Sequence, residues 1–153
     1  NKLTPEIRER IKQSEKTLHE IIIMASLIEK EVVSDEDRRM VSGILWKRLQ
    51  LGIPLQVDAT IVYAKKRSNL VSPPNGRLLL TDLAIESPYN TYKHRGLPIG
   101  PIGNPGLSAI NAALHPASSL NLYYLSAPDG KTIFSKTLEE HNATKQKYLK
   151  YMH

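Results

Sequence analysis

Residues 96–106 read GLPIGPIGNPG, and seven of these eleven residues are Gly or Pro. Such a segment joins neither a helix nor an inner strand, because proline fixes φ and has no N–H to donate. It also carries Leu97, Ile99 and Ile102, which favour burial. A stiff, packed loop is therefore expected, not a flexible linker, and it is expected beside the functional cleft. Asn104 and Pro105 then open a helix through Leu107, Ile110 and Leu114, stopped after His115 by Pro116.

The chain around this loop is mainly helical. Thr4, Pro5 and Glu6 supply a cap, a first helical position and a charge that complements the dipole. The same first helical segment is expected to continue through the apolar stretch from Leu18 to Val33. Ser34 with Asp37 makes a capping box for a second helix through Met40, Val41, Ile44, Leu45 and Leu49, which Gly52 and Pro54 end. Leu55–Val57 reads as a brief extended piece, followed by a helix that Asp58 can cap. Residues 68–77 contain Pro73, Pro74, Asn75 and Gly76 and read as an exposed loop. Thr81 opens a short helix that must end near Ser87, ahead of Pro88. Leu120–Ala127 and Lys131–Ser135 flank Pro128-Asp129-Gly130, a hairpin signal, and Thr137 with Glu140 caps a last helix. The fold class expected is α+β: a mainly helical single domain with a β-hairpin and short strands around a substrate cleft.

The length of 153 residues suits one core and no more. No apolar run approaches the length of a membrane-spanning helix. Without cysteine, disulfides, thiolate metal sites and a cysteine nucleophile are excluded. The net charge of +6 favours a polyanionic partner: nucleic acid, anionic lipid or an acidic cell-wall polymer. The five histidines lack helical metal-ligand spacing, and no Gly-x-Ser-x-Gly elbow or glycine-rich phosphate loop occurs.

The stripe Leu18, Ile22, Ala25, Glu29, Val32 follows helical spacing and is apolar except at Glu29. A carboxyl held there loses solvation, and its pKa should rise into the range of a general acid. The alternative is a Glu29 that swings to solvent at a helix end. Glu31 lies on a different face near Asp35 and is expected to be solvated. Gln56 and Asp58 point to one side of an extended stretch, and Ser87, Tyr89, Asn90 and Tyr92 alternate aromatic and hydrogen-bonding groups suited to sugars. A half-buried strand with tyrosine hydroxyls at the surface fits that second pattern as well.

Five motifs occur in order: Met24-Ala-Ser-Leu-Ile-Glu-Lys-Glu31, Leu55-Gln-Val-Asp-Ala-Thr-Ile-Val-Tyr63, Ser87-Pro-Tyr-Asn-Thr-Tyr92, the loop at residues 96–106, and Ala112-Ala-Leu-His-Pro-Ala117. Together they resemble the endolytic murein transglycosylases, the MltG or YceG-like family. The resemblance covers about residues 20–149, with departures at Val57 and Ala59. It implies a lytic transglycosylase that cuts peptidoglycan glycan strands between N-acetylmuramic acid and N-acetylglucosamine and leaves 1,6-anhydro ends. It places the family's catalytic glutamate on Glu29, as acid and then base, and gives Gln56, Asp58, Ser87, Tyr89, Asn90 and Tyr92 to substrate binding. It implies no metal or organic cofactor and no nucleic acid. It implies an extracytoplasmic location, at the outer face of the bacterial inner membrane, with peptidoglycan synthases as further partners. Residues 1–153 would be a single catalytic domain, with a single-pass membrane anchor and a LysM-like subdomain lying upstream of this chain.

Three other readings stay open. A hydrolytic muramidase would need a second carboxylate, for which Asp58 or Glu86 could serve. A non-catalytic glycan-binding module would leave Glu29 structural. A nucleic-acid-binding domain would use the positive charge and show steep salt dependence.

Overall fold

The structure, a computed structural model, describes residues 2–72 and 76–149. The expected loop residues Pro73, Pro74 and Asn75 lie outside them. The elements are α1 (Pro5–Gln13), α2 (Leu18–Glu31), α3 (Asp35–Gln50), α4 (Asp58–Arg67), a 3-10 turn at Leu80–Ala84, α5 (Leu107–Leu114), β1 (Tyr123–Ser126), β2 (Thr132–Ser135) and α6 (Leu138–Leu149).

α2 is the centre of the domain. Residues from Ile23 to Ile28 are all buried, so the helix is covered on every side over that stretch. α5, α3 and α4 pack around it. Ala109, Ala112 and Ala113 make α5 slender enough to lie close against α2. Met24, Leu27, Ile28, Val41, Leu45 and Ile110 form the core, each burial being worth about 1.5–3 kcal/mol. Trp46 donates its indole N–H to the Ala113 carbonyl at 3.0 Å, which ties α3 to the end of α5.

The single expected first helix is two. α1 ends at Gln13 with Ser14 as its cap, Glu15 adopts φ 59°, and α2 starts afresh behind Thr17. Thr17 and Glu20 form a full capping box, with Glu20 accepting from the Thr17 N–H at 2.7 Å. At α3 only half of the expected box forms. Ser34 accepts from the Asp37 N–H at 3.1 Å, while the Asp37 carboxylate accepts from Thr132 of β2 at 2.8 Å. α4 begins at Asp58 itself, one residue earlier than expected, after Val57 in extended conformation. Thr81 lies inside the 3-10 turn and does not cap it. α5 begins at Leu107, after Asn104 and Pro105, with Gly106 at its cap.

β1 and β2 pair antiparallel with Tyr124 opposite Phe134, closed by Gly130 at φ 85°. α6 packs on this hairpin and buries none of its residues fully. Glu140 accepts from the Lys136 N–H at 2.8 Å, and Thr137 accepts from the Glu140 N–H at 3.1 Å, so the last helix is capped as expected, with the box shifted by one residue.

The loop at 96–106 is packed as the composition requires. Ile102 is buried, and its N–H donates to Ser26 of α2 at 3.1 Å. Ile99 stays exposed.

Candidate active site

Two carboxylates at the end of α2 face different parts of the molecule. Glu29 is partly exposed, and its Oε1 accepts from the Gly106 N–H at 2.8 Å, at the start of α5. A carboxylate at a helix N-terminus complements the orphan N–H groups there. Glu29 is thus a tie between α2 and α5, and it does not line the cleft described next. The acid expected at Glu29 therefore lies outside that cleft.

The second of these carboxylates is that of Glu31. It lines a cleft of about 360 Å³ together with Arg48, Gln56, Asp58, Tyr92 and Tyr124. The α6 residues His141 and Lys145 and the hairpin residue Tyr123 complete the wall. Burial pushes the Glu31 carboxyl up to about 7, and the nearby Asp58 charge adds to the rise. The Tyr124 hydroxyl, donating to Oε2 at 3.0 Å, and the Ala59 amide at the start of α4 pull the other way. Burial prevails: Leu27 and Ile28, one turn back on the same face, are fully enclosed.

Asp58 forms a second carboxylate–phenol pair. The Tyr92 hydroxyl donates to its Oδ1. Burial and the neighbouring carboxylates, Asp58 and Glu31, raise the Tyr92 phenol far above its ordinary value, and burial raises Tyr124 likewise. Both tyrosines therefore stay protonated and act as donors. Asp58 reaches the cleft because it is the first residue of α4. Gln56, two residues before it, adopts φ 53°, a left-handed conformation that costs a non-glycine residue about 1 kcal/mol. Its N–H donates to the Thr91 carbonyl at 3.1 Å, and its Oε1 accepts from Arg48 at 3.3 Å.

Of the expected binding residues, Gln56, Asp58 and Tyr92 meet in the cleft with Glu31. Ser87, Tyr89 and Asn90 do not line it. Ser87 lines a shallow groove with Glu86 and His94. Tyr89 sits edge-on to Tyr63, ring centroids 4.7 Å apart, with the Arg67 guanidinium over both rings. Asn90 is buried and saturated: it donates to the carbonyls of Leu83 and Ile85 and accepts from the N–H groups of Tyr92 and Lys93. It shapes the turn that presents Tyr92. The loop at 96–106, expected beside the cleft, packs on α2 instead and contributes no residue to the cleft wall.

Sequence reading missed Glu31, Tyr124 and Arg48. The signal for Glu31 was available: Leu27 and Ile28 stand at i−4 and i−3, against Ala25 and Ser26 for Glu29. Tyr124 lies 93 residues from Glu31, so nothing local could pair them. Among the described residues no cluster of His, Asp and Glu could hold a metal ion.

Three comparisons bear on this arrangement. Residues 1–147 match the YceG-like family. The chain is 42% identical over 142 residues to the endolytic murein transglycosylase of Bacillus subtilis (strain 168), covering 93% of this chain and 38% of that protein. It is 36% identical over 134 residues to the endolytic murein transglycosylase of Streptococcus pneumoniae serotype 2 (strain D39 / NCTC 7466), covering 86% of this chain and 24% of that protein. A crystal structure of a yceG-like protein from Listeria monocytogenes superposes with a TM-score of 0.82 at 40% identity, over 92% of this chain and 44% of the other. The chain thus spans less than half the length of each of these relatives.

Proposed function

Since this chain belongs to the YceG-like family, we propose that its cleft cleaves peptidoglycan glycan strands internally as a lytic transglycosylase, with Glu31 as the general acid and then the base. The observation that carries the reading is a carboxyl brought to about 7 inside the cleft, beside a tyrosine donor and a second carboxylate. Such a group is present in both protonation states near neutral pH, which a single acid–base residue requires. The names of the relatives support the same substrate and reaction.

In this mechanism the Glu31 proton passes to the glycosidic oxygen between muramic acid C1 and the departing N-acetylglucosamine. The C1–O bond breaks through an oxocarbenium-like transition state. The 6-hydroxyl of the same muramic acid attacks C1, the C1–O6 bond forms, and the hydroxyl proton returns to the Glu31 carboxylate. No water enters. Tyr124 holds Glu31 in position, and Tyr92 keeps Asp58 turned toward the cleft. A tethered hydroxyl has a high effective concentration, so water is outcompeted. The same reading puts the enzyme on the extracytoplasmic face of the membrane, where its substrate lies, with an anchor outside these residues. Among the described residues no helix is long and apolar enough to cross a membrane.

Asp58 beside Glu31 makes hydrolysis the competing outcome, because a second carboxylate could activate water. Mass spectrometry of the fragments decides between them. The reading expects 1,6-anhydromuramic ends, each lighter by one water than a hydrolytic end, and no incorporation of oxygen from labelled water. Labelled reducing ends would overturn it.

A further inference from the structure

Two cations among the described residues are buried, and they are treated differently. Lys65 has its counter-ion, Asp82, at 2.7 Å. Arg48 is 6% exposed, and among the described residues no carboxylate pairs with it. Among the described residues its guanidinium makes only two bonds, both long, to the Leu122 carbonyl at 3.4 Å and to Gln56 Oε1 at 3.3 Å. Its Nε is buried without a partner. A buried guanidinium without an anion is costly, and a bidentate carboxylate is the group that fits its fork.

Arg48 also lines the cleft, and its place in the cleft is specific. Tyr92 and Tyr124 feel its charge, and they also feel those of Glu31 and Asp58. Beside apolar Leu55, Leu125 and Leu149, the cleft thus holds two carboxylates, two phenols bonded to them, and Arg48 over the face of Tyr123 at 5.2 Å, with His141 stacked on the same ring at 5.1 Å and Lys145 also in the wall. The carboxylates address the scissile bond. The basic groups suit a negative charge on the same ligand.

Resting on the transglycosylase reading, we propose that Arg48 is the carboxylate-binding residue of this cleft and takes the acid group borne on the muramic acid side of the substrate. Two sources carry that chemistry: the lactyl carboxylate of a strand without peptides, and a free carboxylate of the stem peptide. The lactyl ether branches from the sugar ring whose C1 reacts, so its carboxylate, or the start of the peptide that extends from it, stays close to the scissile bond, in the one cleft that Arg48 shares with Glu31. The positive wall offsets the repulsion that Glu31 and Asp58 exert on an anionic ligand.

The test measures kcat/KM of this chain on two matched pairs. The first is peptide-free strands with lactyl carboxylates intact or converted to methylamides; the second is stem-bearing strands with stem carboxylates free or amidated. Neutralising the recognised group should lower kcat/KM about tenfold or more, through KM, since a charge-assisted bond is lost. The pair that shows the drop identifies the source. Arg48→Gln should erase the difference within that pair, and Arg48→Lys should keep part of it. The comparison of substrates on the unmutated chain stands even where Arg48→Gln fails to fold. Cleavage of both members of both pairs at equal rates would overturn this proposal and leave the transglycosylase reading intact. Absence of cleavage of any strand would overturn both.

Discussion

Glu29 and Glu31 stand two residues apart on α2 and bond to opposite parts of the domain, Glu29 to the Gly106 N–H at 2.8 Å and Glu31 to the Tyr124 hydroxyl at 3.0 Å. Residues at i and i+2 of a helix are turned about 200° from each other. One carboxylate therefore serves the packing of α5, and the other enters the cleft.

That division predicts opposite phenotypes for isosteric amides. Glu31→Gln should fold and lose cleavage of glycan strands by about 100-fold or more, the scale of a missing general acid. Glu29→Gln keeps an acceptor for Gly106 and should retain activity within about tenfold, with a small drop in melting temperature. Rates of fragment release from purified strands check this. An inactive Glu29→Gln alongside an active Glu31→Gln would return the acid to Glu29.

Glu31 also makes stability depend on pH. Its pKa rises from 4.5 to about 7 on folding, so the folded chain holds a proton there that the unfolded chain has released. Stability should fall as pH rises from about 4.5 through 7, by at most roughly 3 kcal/mol and by less as cleft water screens the charge. Glu31→Gln removes this dependence. Its melting temperature, relative to the unmutated chain, should climb between about pH 5 and about pH 8. A difference that stays flat over that range would show that Glu31 is not held in its neutral form by burial.

Gln56 offers a signature of function held at the expense of stability. Its φ of 53° suits glycine, and its side chain meets Arg48 in the cleft. Gln56→Gly should relieve about 1 kcal/mol of backbone strain, leaving the melting temperature unchanged or higher, while cleavage falls. A large fall in melting temperature would instead make Gln56 a structural residue.

Much of this was legible locally. The Ser34 and Thr137 caps, the turn at Gly130 and the stiffness of residues 96–106 all follow from residues within a few positions of each other. Gln56 and Asp58 do meet in one cleft, but not by alternation along an extended stretch: Gln56 is left-handed and Asp58 opens α4. The break between α1 and α2 was also written locally, in Thr17 and Glu20, but continuous apolar spacing masks a cap. The choice between Glu29 and Glu31 turned on which helix stripe is enclosed, and α2 is enclosed on all sides before its last turn. Apolar periodicity loses its phase in such a helix. Tyr124, Arg48 and His141 come from three elements that only tertiary packing assembles.

The hairpin that carries Tyr124 is aligned by α3, and Gly43 is the tightest point of that alignment. The Ala117 N–H donates to the Arg39 carbonyl at 2.9 Å, and the Ala117 carbonyl lies directly over Gly43, where a Cβ would collide with it. Further along the helix Lys47 donates to the Ser119 carbonyl and Arg48 to the Leu122 carbonyl, one residue before β1. Backbone on backbone leaves no flexible side chain to yield. Gly43→Ala should therefore cost about 1–3 kcal/mol and lower the melting temperature by roughly 5 °C, despite the better helix propensity of alanine. Gly52→Ala is the control. At φ 68° with open space around it, it suffers only the backbone cost of about 1 kcal/mol. Displacing residues 117–122 should also loosen Tyr124 on Glu31, so Gly43→Ala should move the upper limb of the pH–rate profile to higher pH, the direction in which Glu31 shifts when a donor to its carboxylate is weakened. Gly52→Ala should leave that limb in place. An unmoved limb in Gly43→Ala would mean that α3 does not set the position of the hairpin.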